Sequence, residues 1–189
     1  MQIRWQEYEL RYPHAFSACW LAVELWRQLG LDTFWIGKLG WIHEGTDWAR
    51  TLLVSVAYRL IAPGSEWRFW RLWYERIALG DLVGPDFHLA NKDQLYAVLD
   101  RLLPHRAELL QHLCDRWQDL FGVNCEVLLY DLTSTCFEGA AAEILKATHG
   151  YSRDHRPDCR QVVLALVVTP EGLPLAYEIM PGNTPDNKP

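Results

Sequence analysis

Asp131 is the residue whose setting most demands a chemical explanation. It interrupts an apolar, β-prone run, with Val127-Leu-Leu-Tyr130 before it and Leu132 after it, and the run closes in Thr133, Ser134 and Thr135. An isolated ionised carboxylate in a central strand costs several kcal/mol or titrates at higher pH, so something must compensate for it. Two arrangements would. Asp131 could cap a turn through Thr133 or Ser134, or it could present its oxygens at the strand's mouth to a divalent cation such as Mg²⁺, which takes hard oxygen ligands. The residue alone leaves both open.

Other candidate groups cluster downstream. Lys146, Arg153, Arg156 and Arg160, with His149 and His155 between them, could contact phosphates, although Asp154 and Asp158 lie among the arginines and favour salt bridges there. His149, His155 and Cys159 are spaced too loosely for a structural zinc site. The five cysteines are odd in number and form no Cys-x-x-Cys pair, which argues against a disulfide framework. Upstream, Trp67, Trp70, Trp73 and Tyr74 recur at a spacing that puts rings on one helix face, the pattern of core packing. Arg68, Arg71 and Arg76 fall on the other faces and leave contact with a DNA backbone open.

The 189 residues carry a formal net charge of -6, half of them are apolar, and all ten Trp precede residue 120. This composition excludes a disordered chain and a generally basic nucleic-acid coat, but not a local basic patch. The longest clearly apolar stretch near the end, Val162 to Val168, falls far short of the roughly 20 residues of a membrane helix. The first residues lack the apolar segment of a secretory signal, so a cytoplasmic location without membrane contact is expected.

Periodicity predicts helices over 15–29, from Thr46 or Asp47 to Leu60, from Ser65 to Gly80, from Asn91 or Asp93 to Leu102, and from Pro104 to Gly122. Short helices joined by tight turns also suit helix-turn-helix DNA binding, though without a base-reading signature. After Gly122 the pattern turns to strands at 125–135 and 162–168. Thr169-Pro-Glu-Gly172 suits a tight turn that returns Leu173 to Met180 antiparallel. Residues 138–160 are too long for a turn and read as a functional loop. The expected architecture is thus mixed α+β or α/β, a helical region over 1–120 followed by a strand-rich region over 121–189.

Three blocks carry a resemblance: Tyr130-Asp-Leu-Thr-Ser-Thr-Cys-Phe-Glu-Gly139, Gly150-Tyr-Ser-Arg-Asp-His-Arg-Pro-Asp-Cys-Arg-Gln-Val-Val163, and Gly172-Leu-Pro-Leu-Ala-Tyr-Glu-Ile-Met-Pro-Gly-Asn-Thr-Pro-Asp186. In this order they resemble bacterial insertion-sequence transposases of the DDE superfamily, in the broad IS four-type group. Cys19 to Leu31 and Ala57 to Trp67 are similar to that group's helical N-terminal part. The resemblance implies a ribonuclease H-like fold, with Asp131 as the first catalytic carboxylate on a central first strand and a β2-β3 hairpin after it. It further implies two Mg²⁺ ions, binding to the terminal inverted repeats and target DNA, strand cleavage and transfer, and a homodimer. Cys136 stands where the group often has an aromatic residue. The group's second Asp and its Glu have no counterpart, and Asp154, Asp158 and Asp186 are poor substitutes. The chain is therefore expected to be an N-terminal fragment of a truncated fold. The alternatives are a DNA-binding or inhibitory fragment without catalysis, and a pseudogene product.

Overall fold

In the computed structural model, which describes residues 16–39, 46–84, 86–89, 91–123, 129–151 and 156–185, the chain divides into two units, Met1–Arg106 and Ala107–Pro189. The described part of the first unit is helical. α1 (Ser17–Gln28) stops before Gly30, whose φ of 66° is the left-handed conformation that ends a helix cheaply only at glycine. α2 (Leu31–Leu39) follows at once. Its buried stripe is Leu31, Trp35 and Leu39, but Phe34 and Ile36 place apolar side chains off that stripe, which flattens the periodicity and hides the helix from a sequence reading. α3 (Trp48–Ile61) and α6 (Lys92–Leu102) begin where capping residues predict: Asp47 accepts from the Arg50 backbone N–H at 2.9 Å and Asn91 from that of Gln94 at 3.1 Å.

The single helix expected from Ser65 to Gly80 does not form. Ser65 caps a short turn, α4 (Glu66–Arg68), which passes into a π-helical turn over Phe69–Trp73 and a 3₁₀ turn over Tyr74–Arg76. Ile77 is extended, and α5 (Leu79–Val83) follows. Aromatic packing continues across the break. Phe69 is buried and stacks on Tyr58 with ring centroids 4.7 Å apart, and Trp73 lies 4.9 Å from the same ring. Trp67, expected on the buried face, is 50% exposed instead.

Arg50 ties the start of α3 to the segment after α5. Its Nε lies 2.5 Å from Asp47 Oδ2, its two terminal nitrogens each lie 2.8 Å from the oxygens of Asp86, and Nη1 also donates to the Val83 carbonyl at 3.2 Å. The bidentate pairing holds the Asp86 carboxyl at about 2, and the same hydrogen bonds raise Arg50 above its ordinary value.

In the second unit α7 (Arg106–Phe121), preceded by a 3₁₀ turn at Leu103–His105, ends before Gly122 with φ 64°. Periodicity groups α7 with the helices upstream, yet it belongs with the sheet, where Trp117 donates from Nε1 to the Pro174 carbonyl at 3.2 Å. The sheet comprises β1 (Leu129–Cys136), β2 (Gln161–Val168) and β3 (Pro174–Pro181), antiparallel in the order β1-β2-β3. Residues 125–128 of the expected first strand lie outside the described residues. The hairpin turn closes through the Gly172 N–H to the Thr169 carbonyl at 2.9 Å, with Gly172 at φ 88°. Among the described residues no helix is long and apolar enough to cross a membrane.

Two outcomes follow for the first unit. Asp47→Ala removes both the α3 cap and an Arg50 anchor, and should cost about 1–2 kcal/mol in urea denaturation. Asp86 titrates lower folded than unfolded, so its contribution is present above the ordinary carboxylate value near ~3.9 and is lost as pH falls toward about 2. Asp86→Asn should flatten the acid limb of the stability profile between those limits, measured by thermal melts across pH 2 to 5.

Candidate functional site

Side chains alternate across the sheet, and the register fixes which of them share a face. Asp131 pairs with Leu166, and Leu166 with Tyr177; Thr133 pairs with Leu164, and Leu164 with Ile179. These residues form one face. Leu132 pairs with Ala165, Ser134 with Val163 and Cys136 with Gln161, on the opposite face, where Leu132, Val163 and Ala165 make a small buried core with Met180 against it.

Asp131 is therefore on the more open face, and it is exposed. Among the described strands β2 is the middle one and β1 an outer one, so the Asp131 side chain meets solvent rather than a covering layer. Among the described residues no hydrogen bond or ion pair engages Asp131, so the turn-capping alternative through Thr133 or Ser134 is not realised either.

A divalent ion would need further oxygen ligands beside Asp131. Glu178 is the only other carboxylate on the three strands, and its pairing with Ala165 puts it on the opposite face. No cluster of three potential ligands occurs among the described residues. The described residues thus supply one ligand and do not fit a two-ion centre, and no reaction step is assigned to one.

The basic residues expected to meet phosphate are largely engaged. Lys146 donates from Nζ to the Ile179 carbonyl at 2.6 Å. Arg156 forms a paired contact with Asp158, Nε to Oδ1 at 3.0 Å and Nη2 to Oδ2 at 3.1 Å, which holds the Asp158 carboxyl at about 2. Arg160 is half-buried, and Arg153 lies outside the described residues with Asp154 and His155, as does Asp186. Desolvation, with Asp158 beside it, pushes the Cys159 thiol up despite Arg156 nearby, which disfavours it as a thiolate ligand.

The feature that sequence reasoning missed is Gln161. It is 1% exposed at the start of β2, and its Nε2 donates to the carbonyls of Tyr151 at 2.9 Å and Gly182 at 2.8 Å. Its backbone exchanges both hydrogen bonds with Thr148, at 2.9 and 3.0 Å, and the Gly182 N–H reaches the Lys146 carbonyl at 3.1 Å. A Cβ on Gly150 would collide with the Gly182 carbonyl and the Gln161 amide, and one on Gly182 with the carbonyls of Gln161 and Thr148. Neither glycine has a positive φ, so close backbone approach, not turn geometry, requires them. Beside this junction a cavity of about 240 Å³ is lined by Leu132, Ser134, Tyr151, Val163 and Thr184 among others. The sequence signal was available: Gly150, Gln161 and Gly182 each lie in one of the quoted blocks or at its edge, and a polar Gln opens an otherwise apolar strand.

No protein-family model, curated protein or solved structure matches the chain.

Gln161→Leu preserves bulk but leaves the Tyr151 and Gly182 carbonyls without their donor. It should cost about 1–3 kcal/mol in chemical denaturation. Gly182→Ala should cost about 3 kcal/mol or more, since backbone rather than a flexible side chain must give way.

Proposed function

We propose that the chain is the DNA-end-binding and first-carboxylate region of a DDE-type insertion-sequence transposase, with a ribonuclease H-like arrangement begun by β1, β2 and β3. The observation that carries the reading is Asp131, solvent-exposed in the first strand of an antiparallel β1-β2-β3 meander. A structural aspartate would be expected to cap, pair or lie at a turn; Asp131 does none of these among the described residues, and sits mid-strand with open solvent before its oxygens. The Gly150–Gln161–Gly182 junction adds support, because it joins the ordered motifs into one packed unit that holds the strand pairing in register. The helical unit upstream is assigned to DNA. A dimer on paired ends and a Mg²⁺ contact at Asp131 belong to the same reading.

A second reading has its own observation. Among the described residues only one carboxylate lies on the Asp131 face of the sheet, which favours a module that engages DNA without cutting it.

The two readings part at the metal. With ¹⁵N-labelled full chain and millimolar Mn²⁺, the catalytic-region reading expects paramagnetic broadening centred on the Asp131 and Leu132 amides, abolished by Asp131→Asn with DNA affinity unchanged within twofold. Broadening that survives the substitution, or none at Asp131, removes the carboxylate from the metal role and leaves the non-catalytic module.

A further inference from the structure

The segment from Trp67 to Ala78 repeats with a period of four. Trp67 and Arg68, Arg71 and Leu72, and Glu75 and Arg76 are exposed, whereas Phe69 and Trp70, Trp73 and Tyr74, and Ile77 and Ala78 are buried or half-buried. An α-helix of 3.6 residues per turn would rotate successive pairs off any fixed line. The segment instead joins a π-helical turn at Phe69–Trp73 to a 3₁₀ turn at Tyr74–Arg76. Its exposed positions bear three arginines.

These arginines differ from five others among the described residues. Arg27 pairs with Glu24, Arg50 with Asp47 and Asp86, Arg59 with Glu66, Arg116 with Asp119, and Arg156 with Asp158. Among the described residues Arg68, Arg71 and Arg76 have no carboxylate partner, and Arg71 lies 5.8 Å from the Trp70 ring centroid. Glu66 is already neutralised by Arg59, so Glu75 is the one acid on the stripe without such a partner. On a chain of net charge -6, that is a local reversal of sign. It lies beside Trp67 and Leu72, which stay 50% and 45% exposed despite the cost of wetting large apolar side chains.

We infer that the stripe Trp67, Arg68, Arg71, Leu72 and Arg76 is a docking surface for duplex DNA, in which the three guanidinium groups meet backbone phosphates and Trp67 and Leu72 cover the adjoining sugars. Charge complementarity selects the partner. Guanidinium forks match phosphate oxygens. Arg68 and Arg76 are eight residues apart, roughly 12 Å along a helical path, a span of three to four phosphate steps at about 3.4 Å of duplex axis each. The inference rests on the DNA reading above and moves the contact from Lys146 and Arg156, which are engaged, and the half-buried Arg160 to this stripe.

The test is fluorescence anisotropy of the full chain with a labelled, random-sequence 20-base-pair duplex at about 50, 100 and 200 mM salt. Arg68→Ala/Arg71→Ala/Arg76→Ala should weaken binding at least tenfold at the lowest salt and reduce the slope of log K against log salt by about 2–3, at roughly 0.9 per phosphate contact. Each single substitution should reduce it by about one, which keeps the test available if the triple variant does not fold. Lys146→Ala/Arg156→Ala/Arg160→Ala should stay within threefold of the parent. Binding by the parent that the stripe variant leaves unchanged, a greater loss at the second triple, or equal competition by polyglutamate overturns the stripe while DNA or anion binding stands. A parent chain that binds no duplex overturns the stripe and the DNA reading together.

Discussion

A primary amide buried among apolar strands loses several kcal/mol of hydration unless each polar atom finds a partner, and Gln161 is placed so that its partners are the ends of two other segments. Its side chain reaches backward to Tyr151 and across to Gly182, while its main chain pairs with Thr148. The long connection after β1 and the exit from β3 are thereby fixed to the start of β2. Both glycines follow from this requirement, because carbonyls can approach so closely only where no Cβ intervenes. The register of β1 against β2 is set at the same place: Cys136 is the cross-strand partner of Gln161, and counting back from it along the ladder assigns Asp131 to Leu166. A slip of one residue would turn Asp131 toward Leu132's core and expose Leu132 instead. The position of the one candidate chemical group in the sheet thus depends on an amide five residues further along the ladder.

That dependence also resolves the tension in the sequence. Asp131 looks like a carboxylate trapped in a hydrophobic strand only if the strand is taken to be covered on both faces. Alternation separates the neighbours: Tyr130 and Leu132 are on one side, Asp131 and Thr133 on the other, and β1 has β2 on one edge only among the described strands. The apolar run around Asp131 is one half of a two-faced strand, and the hydroxyl residues after it continue the alternation into polar surface.

Local chemistry was legible where one residue decides one structure. Asp47 and Asn91 cap helices, Gly30 and Gly122 end them, and Gly172 turns the hairpin, each through an interaction reaching no further than three or four residues. What was not legible depends on distant partners. α2 has apolar side chains on more than one face because its surroundings, rather than its own pattern, decide which are buried. Beyond the break after Arg68, Phe69 and Trp73 both pack on the ring of Tyr58, a residue on another helix that their own spacing does not name. Gln161 looks like an ordinary polar strand start until the segments containing Gly150 and Gly182 are brought to it. Arg156 looks free to bind an anion until Asp158 is seen to occupy two of its three donor nitrogens, Nε and Nη2.

The same distinction separates the two sets of arginines. A guanidinium that already shares its charge with a carboxylate must break that contact before it can meet a phosphate, which offsets part of what the new contact would contribute. Arg50 and Arg156 are of this kind: Arg50 holds three carboxylate oxygens, one of Asp47 and both of Asp86, and Arg156 holds both of Asp158. Arg68, Arg71 and Arg76 do not carry that cost. On the inner side of the same segment Phe69 and Trp73 pack on Tyr58, while Arg68, Arg71 and Arg76 stay exposed. The rings that hold the segment to its own unit thus leave the charges on the opposite side to solvent, where a phosphate would meet them without displacing a carboxylate.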